Sequence, residues 1–206
     1  METYVVRLWL PDRPGALGQV ASRIGAVHGD LVGIEILERG GGSAIDDLTV
    51  SLPDAGMVDT MIAEIRRVEG VAVEHVRPVA ADRPDGSMAA LSIAATIVAA
   101  DRGDRLETAC RSLRRLLDAD WALALCADGP SAVAQSGAAP ELNWLRAFLL
   151  GSAHLGVDDE QMPGDLVWRR LPRAAVALAA GRAGRVFHAR ERDEFRLLSG
   201  IVDSLA

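Results

Sequence analysis

Aromatic residues make up only 4% of this 206-residue chain, and lysine is absent altogether. A core must then be assembled mainly from Ala, Val, Leu and Ile. The 22 basic residues are all arginine, which reads as the base composition of a GC-rich genome, since no physical role demands arginine everywhere. Two cysteines, Cys110 and Cys126, cannot make a disulfide framework. Their bland neighbours mark both as small buried hydrophobes. Four histidines, His28, His75, His154 and His188, show no metal-ligand spacing. The longest apolar run, Met88 to Ala100, covers about 13 residues against the ~20 that a membrane span needs. No basic start followed by an apolar stretch marks a secretory signal, so a cytoplasmic location is expected. A net charge of -7 argues against a general electrostatic grip on nucleic acid or an anionic membrane.

What is present is a normal globular balance, half apolar and a quarter charged, in a length that suits one large domain or two small ones. Thr3 to Leu10 alternates as a strand, with Tyr4, Val6, Leu8 and Leu10 on one face and Val5, Arg7 and Trp9 on the other. Both faces are partly apolar, so a cover over the second one is expected, either the other domain or another copy. Pro11 to Gly15 breaks the strand. A helix follows with Leu17, Val20, Ala21, Ile24 and Val27 at helical spacing and Gly29 as its stop. Leu31 to Leu37 reads as a second strand, Gly40 to Gly42 as a hairpin turn, and the stretch through Leu52 as a third strand. Val58, Met61, Ile62, Ile65 and Val68 stripe a second helix, Gly70 ends it, and Val71 to Val79 is a fourth strand. The order β-α-β-β-α-β is the split βαβ pattern, which sets both helices on one face of a four-stranded antiparallel sheet.

The polar segment 81–87 divides this region, 1–80, from a second domain over 88–206. Beyond it, Met88 to Asp118 reads as helical with a break near Gly103. Trp121 to Cys126 and Ser131 to Gln135 read as strands joined through Asp128, Gly129 and Pro130. Leu142 to His154 is a helix with His154 at its inner face or end, and a polar loop runs from Gly156 to Gly164. Leu166 to Arg170 and Ala174 to Ala179 are two more strands, and Glu191 to Leu205 is the last helix. The whole is an α+β chain.

The junction Asp12-Arg13-Pro14-Gly15-Ala16-Leu17, together with Leu31-Val32-Gly33-Ile34 and the element order, resembles the ACT domain over residues 3–79. Pro14 sets φ near a helix start. Gly15 clears a side chain where backbone approaches a ligand, and the free N–H groups of the first turn can take a carboxylate. Asp-x-Pro-Gly is also ordinary turn chemistry in any fold. The resemblance implies an amino-acid effector bound between paired domains, contacted by Asp12, Arg13, Gly15, Ala16, Leu17, Asp30, Leu31 and Val32. Arg13 would attract a carboxylate, while Asp12 or Asp30 would accept from an ammonium. The stretch from Leu171 to Leu178, Phe187 and Glu191 through Leu198 is similar to the final strands and helix of a GAF domain. That resemblance implies an antiparallel sheet flanked by helices, with Trp144 and Trp168 lining a pocket or simply packing.

No catalytic motif is present: no P-loop, no G-x-G-x-x-G with an acidic partner, no G-x-S-x-G and no H-E-x-x-H. Asp46 and Asp47 adjoin in a strand and face opposite ways, which makes a poor acid–base pair. His188 beside Arg190 and Glu191 reads as a solvated helix entry. The expectation is a non-enzymatic regulatory protein without a cofactor. It binds a small ligand at a paired ACT domain, forms a homodimer and signals to a protein partner through the GAF-like domain. A ligand-free dimerisation module and an ACT-regulated enzyme with its chemistry in 88–206 stay as rivals.

Overall fold

In the computed structural model, which describes residues 1–126, 131–155 and 163–206 (of Leu150 and residues 152–155 the backbone alone), the chain divides into two units, 1–85 and 86–206. The joint at Asp128 to Pro130, most of the 156–164 loop and the side chain of His154 lie outside the described residues.

In the first unit, strand β1 (Glu2–Pro11) is central. It pairs antiparallel with β3 (Ser43–Leu52) on one side and β4 (Ala72–Val79) on the other, and β2 (Asp30–Gly40) pairs with β3 at the edge. The sheet order is β2-β3-β1-β4. Helix α1 (Ala16–Ala26) and helix α2 (Val58–Ile65, entered through a short 3₁₀ turn at Ala55–Met57) connect the strands. Their apolar stripes meet one sheet face in a core of Val6, Leu8, Val20, Ile24, Leu48, Val50, Leu52, Met61 and Ile65, all fully buried. The hairpin between β2 and β3 turns on Gly41 and Gly42, at φ 60° and 81°. Two consecutive left-handed residues make the tight turn whose twist suits a hairpin, and a glycine pair takes both at low cost. The end of α1 differs from the sequence reading: His28, at φ 58°, carries the left-handed turn, while Gly29 is the small residue packed on Ile24.

The other face of this sheet is also largely closed. Val5 is 2% exposed and Ile45 3%. Between them lies a buried ion pair, Arg7 Nε to Asp47 Oδ1 at 2.8 Å and Nη2 to Oδ2 at 2.9 Å. Trp9 stays 41% exposed, its indole N–H donating to Glu74.

The second unit is a four-stranded antiparallel sheet, order β6-β5-β8-β7, with helices on both faces. Its strands are β5 (Trp121–Cys126), β6 (Ala132–Gly137), β7 (Leu166–Leu171) and β8 (Val176–Gly181). Helices α3 (Gly86–Ala99), α4 (Arg105–Leu116) and α6 (Ala189–Ser204) share a core with Ala122, Ala124, Val167, Leu178 and Ala180. Helix α5 (Leu142–Leu155) packs Leu145 and Leu149 on Trp121, Leu123 and Leu125 of the opposite face. Strand residues from alternating positions serve the two cores, as a sheet covered on both sides requires. Helix α3 begins at Gly86, inside the segment read from sequence as linker.

Candidate functional site

The β1–α1 junction is the most distinctive local structure in the first unit. After Pro11 the chain turns, Arg13 N–H donating to the Pro11 carbonyl at 2.8 Å and Asp12 N–H to the Gly42 carbonyl at 2.9 Å. The second bond ties the junction to the β2–β3 hairpin. Helix α1 starts at Ala16, and its N-cap is Gly15 at φ 86°, ψ -11°, with no side chain capping it. Pro14 therefore precedes the cap and is not the first helical residue. Nothing lies within 4 Å of a built Cβ at Gly15, and its left-handed backbone by itself favours glycine. Among the described residues, the N–H groups of Leu17 and Gly18 have no acceptor; Ala16 N–H reaches Arg13 O and Gln19 N–H reaches Gly15 O. Two donors at the positive end of an 11-residue helix remain open toward a surface formed by exposed Asp12, Arg13, Pro14 and Gly15.

One residue that sequence reasoning set aside belongs beside this junction. Asp46 pairs across β3 with Leu8 and Ile36, which puts it on the helix-covered face, two residues from Ala44. Ala44 packs with Leu10 and Ala16 under the start of α1. Asp46 is 4% exposed, and its Oδ1 is closed off from solvent with no hydrogen-bond partner. Burial pushes its carboxyl above the ordinary range; the Arg39 guanidinium pulls it back, while Asp12 and Asp47 push it up again. Asp47 on the opposite face has Arg7, so the two neighbours fare oppositely. The sequence signal was available: an Asp on the core-facing alternation of an otherwise apolar strand.

The remaining candidate residues do not join this group within one chain. Asp30, Leu31 and Val32 open β2, at the end of the sheet where Asp30 pairs with Ser51; the Gly15 junction follows Pro11, which pairs with Ser43. The length of α1, roughly 16 Å at 1.5 Å per residue, separates the two sets. The sequence reading placed Asp12, Arg13 and Asp30 around one helix; they are at its opposite ends. Val32 sits at an irregularity where Leu31 and Gly33 oppose consecutive residues Val50 and Thr49, and it is 57% exposed. With Ile34 and Ile36, at 46% and 40%, it leaves an apolar edge strand open.

In the second unit, Trp144 and Trp168 line different cavities. One of about 420 Å³ is bordered by Trp121, Trp144, Phe148, Asp120 and Asp165, with Trp144 and Phe148 stacked at 5.7 Å. Glu141 starts α5 there; its carboxylate accepts from the Asn143 and Trp144 N–H groups, which hold its pKa below the usual range. Trp168 lies instead at a cleft with Arg192. His188 and Glu191 are not a solvated helix entry: they are 3% and 6% exposed. Glu191 accepts the His188 N–H at 2.9 Å and receives both Nη atoms of Arg182, at 2.9 and 2.8 Å. Arg182, 1% exposed, also donates to the Leu117, Arg185 and Val186 carbonyls and lies over the Phe187 ring. Arg182 and Glu191 are matched to each other and hold β8 to α6. Cys110 is buried, its thiol pushed up to about 12 by desolvation and then by Glu107, so it is no nucleophile near neutral pH. Cys126 is only half-buried. Among the described residues no group of His, Cys, Asp or Glu could hold a metal ion, and no helix is long and apolar enough to cross a membrane.

Comparison with known proteins places the first unit. The family model described as "ACT domain" matches residues 4–70. Similar solved structures include the ACT domain of a GTP pyrophosphokinase from Chlorobium tepidum: 18% identity, 38% of this chain, all of that one, TM-score 0.31. The C-terminal domain of the MgtC protein from Mycobacterium tuberculosis is similar at 17% identity over 41% of this chain and 95% of that one, TM-score 0.33. The chromophore binding domain of Stigmatella aurantiaca phytochrome P1 matches over 84% of this chain and 69% of its own at 12% identity, TM-score 0.42. No curated protein matches. With the βαββαβ order, the glycine-capped junction and the family match in agreement, residues 4–70 of this chain are an ACT domain.

Proposed function

We propose that this protein is a non-enzymatic regulatory sensor whose ACT domain binds a small zwitterion, an amino acid, and whose second unit passes the bound state to a protein partner. The observation that carries the reading is the pairing at one end of the sheet of two open helix N–H donors, Leu17 and Gly18, with the unmatched carboxylate of Asp46. A ligand carboxylate suits the first and an ammonium the second. Arg13 adds positive charge at the exposed rim. Asp30, Leu31 and Val32 enter such a site only from a second copy, since one chain holds them at the far end of α1. The open apolar row Val32, Ile34 and Ile36 supports that pairing as a homodimer.

The test is a thermal-shift screen of the full chain against the twenty amino acids. A ligand at ~100 times its dissociation constant adds about 2.7 kcal/mol of stability. A hit that Gly15→Val and Asp46→Asn both abolish, with the fold retained, sustains the reading. A flat screen on a protein that sediments as a dimer favours the second reading, a dimerisation module held through the β2 edge.

A further inference from the structure

Helix α3 is apolar on two opposite sides. From Gly86 to Ala99 it holds no charged residue, in a chain that is a quarter charged. One side, with Ile93, Ala94 and Ile97, packs into the core of the second unit. The other carries Met88, Leu91 and Val98, which are 54%, 63% and 54% exposed, with exposed Ala95 in the same row. The steps along this row are three, four and three residues, the a/d rhythm by which two helices seat their side chains between one another. A single exposed apolar residue needs no explanation. A regular row on a helix without charge does, because a helix apolar all round is ordinarily covered all round. We infer that the row is covered by the same row of a second copy of this chain, so that the second units of two molecules associate through α3.

Charge and size select the occupant. A charged partner surface would lose its hydration against α3 with no opposite charge to meet. Two copies of a chain of net charge -7 instead meet here without opposing like charges, and the a/d row complements itself. A membrane fits poorly, since 14 residues reach about 21 Å against the ~30 Å of a hydrocarbon core. The helix also lacks the arginines with which a surface helix grips anionic lipid. Both ends of α3 are fixed beside α6 before any association, which lowers the ordering cost. At its start Arg190 Nη2 donates to Ser87 Oγ at 3.1 Å; past its end Arg105 bridges the Ala100 and Leu205 carbonyls. Leu197 of α6 is 59% exposed. A face two helices wide measures about 21 Å by ~20 Å, or ~400 Å² per copy. That is about half of the ~800 Å² that each partner gives a standard interface, so the association is a weak, reversible one. The inference stands apart from the ACT pairing, which uses the β2 edge of the other unit.

Sedimentation velocity of the full chain, from micromolar to near-millimolar concentration, tests it in an Ile34→Glu background. That change removes pairing through the β2 edge, so the two contacts are read separately. The protein still dimerises reversibly as its concentration rises. Leu91→Glu or Val98→Glu then raises the dissociation constant by about tenfold or more, since each copy must bury a charge in the contact. Both positions are exposed, so the melting temperature stays put. Gln135→Glu adds the same charge at an exposed position on β6 and leaves the constant unchanged. A protein that remains monomeric at every concentration overturns the inference. So does association that Leu91→Glu and Val98→Glu leave intact, or that Gln135→Glu weakens equally.

Discussion

In the second unit the buried guanidinium of Arg182 meets Glu191 through two hydrogen bonds and three carbonyls besides, whereas in the ACT domain the buried Asp46 Oδ1 meets no donor. Both side chains lie in an interior, and of the two only Arg182 completes its partners. A matched buried pair locks two elements in one arrangement, here β8 against the start of α6. An unmatched carboxylate costs stability and persists where something outside the domain completes it. The ACT domain shows both solutions on adjacent residues, since Asp47 faces the other way and is satisfied by Arg7. The contrast separates scaffold from site more sharply than composition does.

Removing a partner in the matched group gives the largest effect. Glu191→Ala strands the Arg182 guanidinium in the core and lowers stability by about 3–5 kcal/mol, read as a shift in urea denaturation. Next comes the junction: Gly15→Val forces a β-branched residue to φ near 86° and costs ~1–3 kcal/mol. The same variant removes the amino-acid thermal shift.

Asp46→Asn tests the unmatched side and has the opposite sign. A carboxyl whose pKa is raised on folding holds its proton more tightly in the native state. Stability then falls as pH rises from the ordinary carboxyl value through the raised one, and the loss persists at neutral pH. The variant therefore gains stability at pH 7, by less than ~2 kcal/mol on the scale of single substitutions, and its stability changes less between acid and neutral pH. Denaturation at pH 4 and pH 7 reads both. A stability loss at pH 7 would mean that Asp46 is already satisfied, which erases the contrast. The smallest effect belongs to Trp9→Phe, which deletes an exposed hydrogen bond to Glu74 and shifts the midpoint by no more than ~0.5 kcal/mol.

Hydrophobic alternation in Tyr4 to Leu10 and the helical stripe from Leu17 to Val27 are local records of burial, so the ferredoxin-like order was legible residue by residue. So was the helix break near Gly103, where the apolar pattern stops. Three things were not. The role of Gly15 depends on a φ that only the assembled turn displays. The split of Asp12 and Arg13 from Asp30 follows from the direction of α1 between parallel strands. His188 and Glu191, polar and adjacent to other charges, gave no sign that Arg182 would arrive from β8 to bury them.

By itself, then, the sequence determined the periods, the turns and the D-R-P-G junction, because these depend on neighbours within a few positions along the chain. Tertiary structure alone decided which charges are matched. Asp46 and Asp47 are adjacent letters of one strand, yet the pleat turns one toward helix-covered core and the other toward Arg7. A partner 40 residues away in the chain is visible only once the sheet register is set.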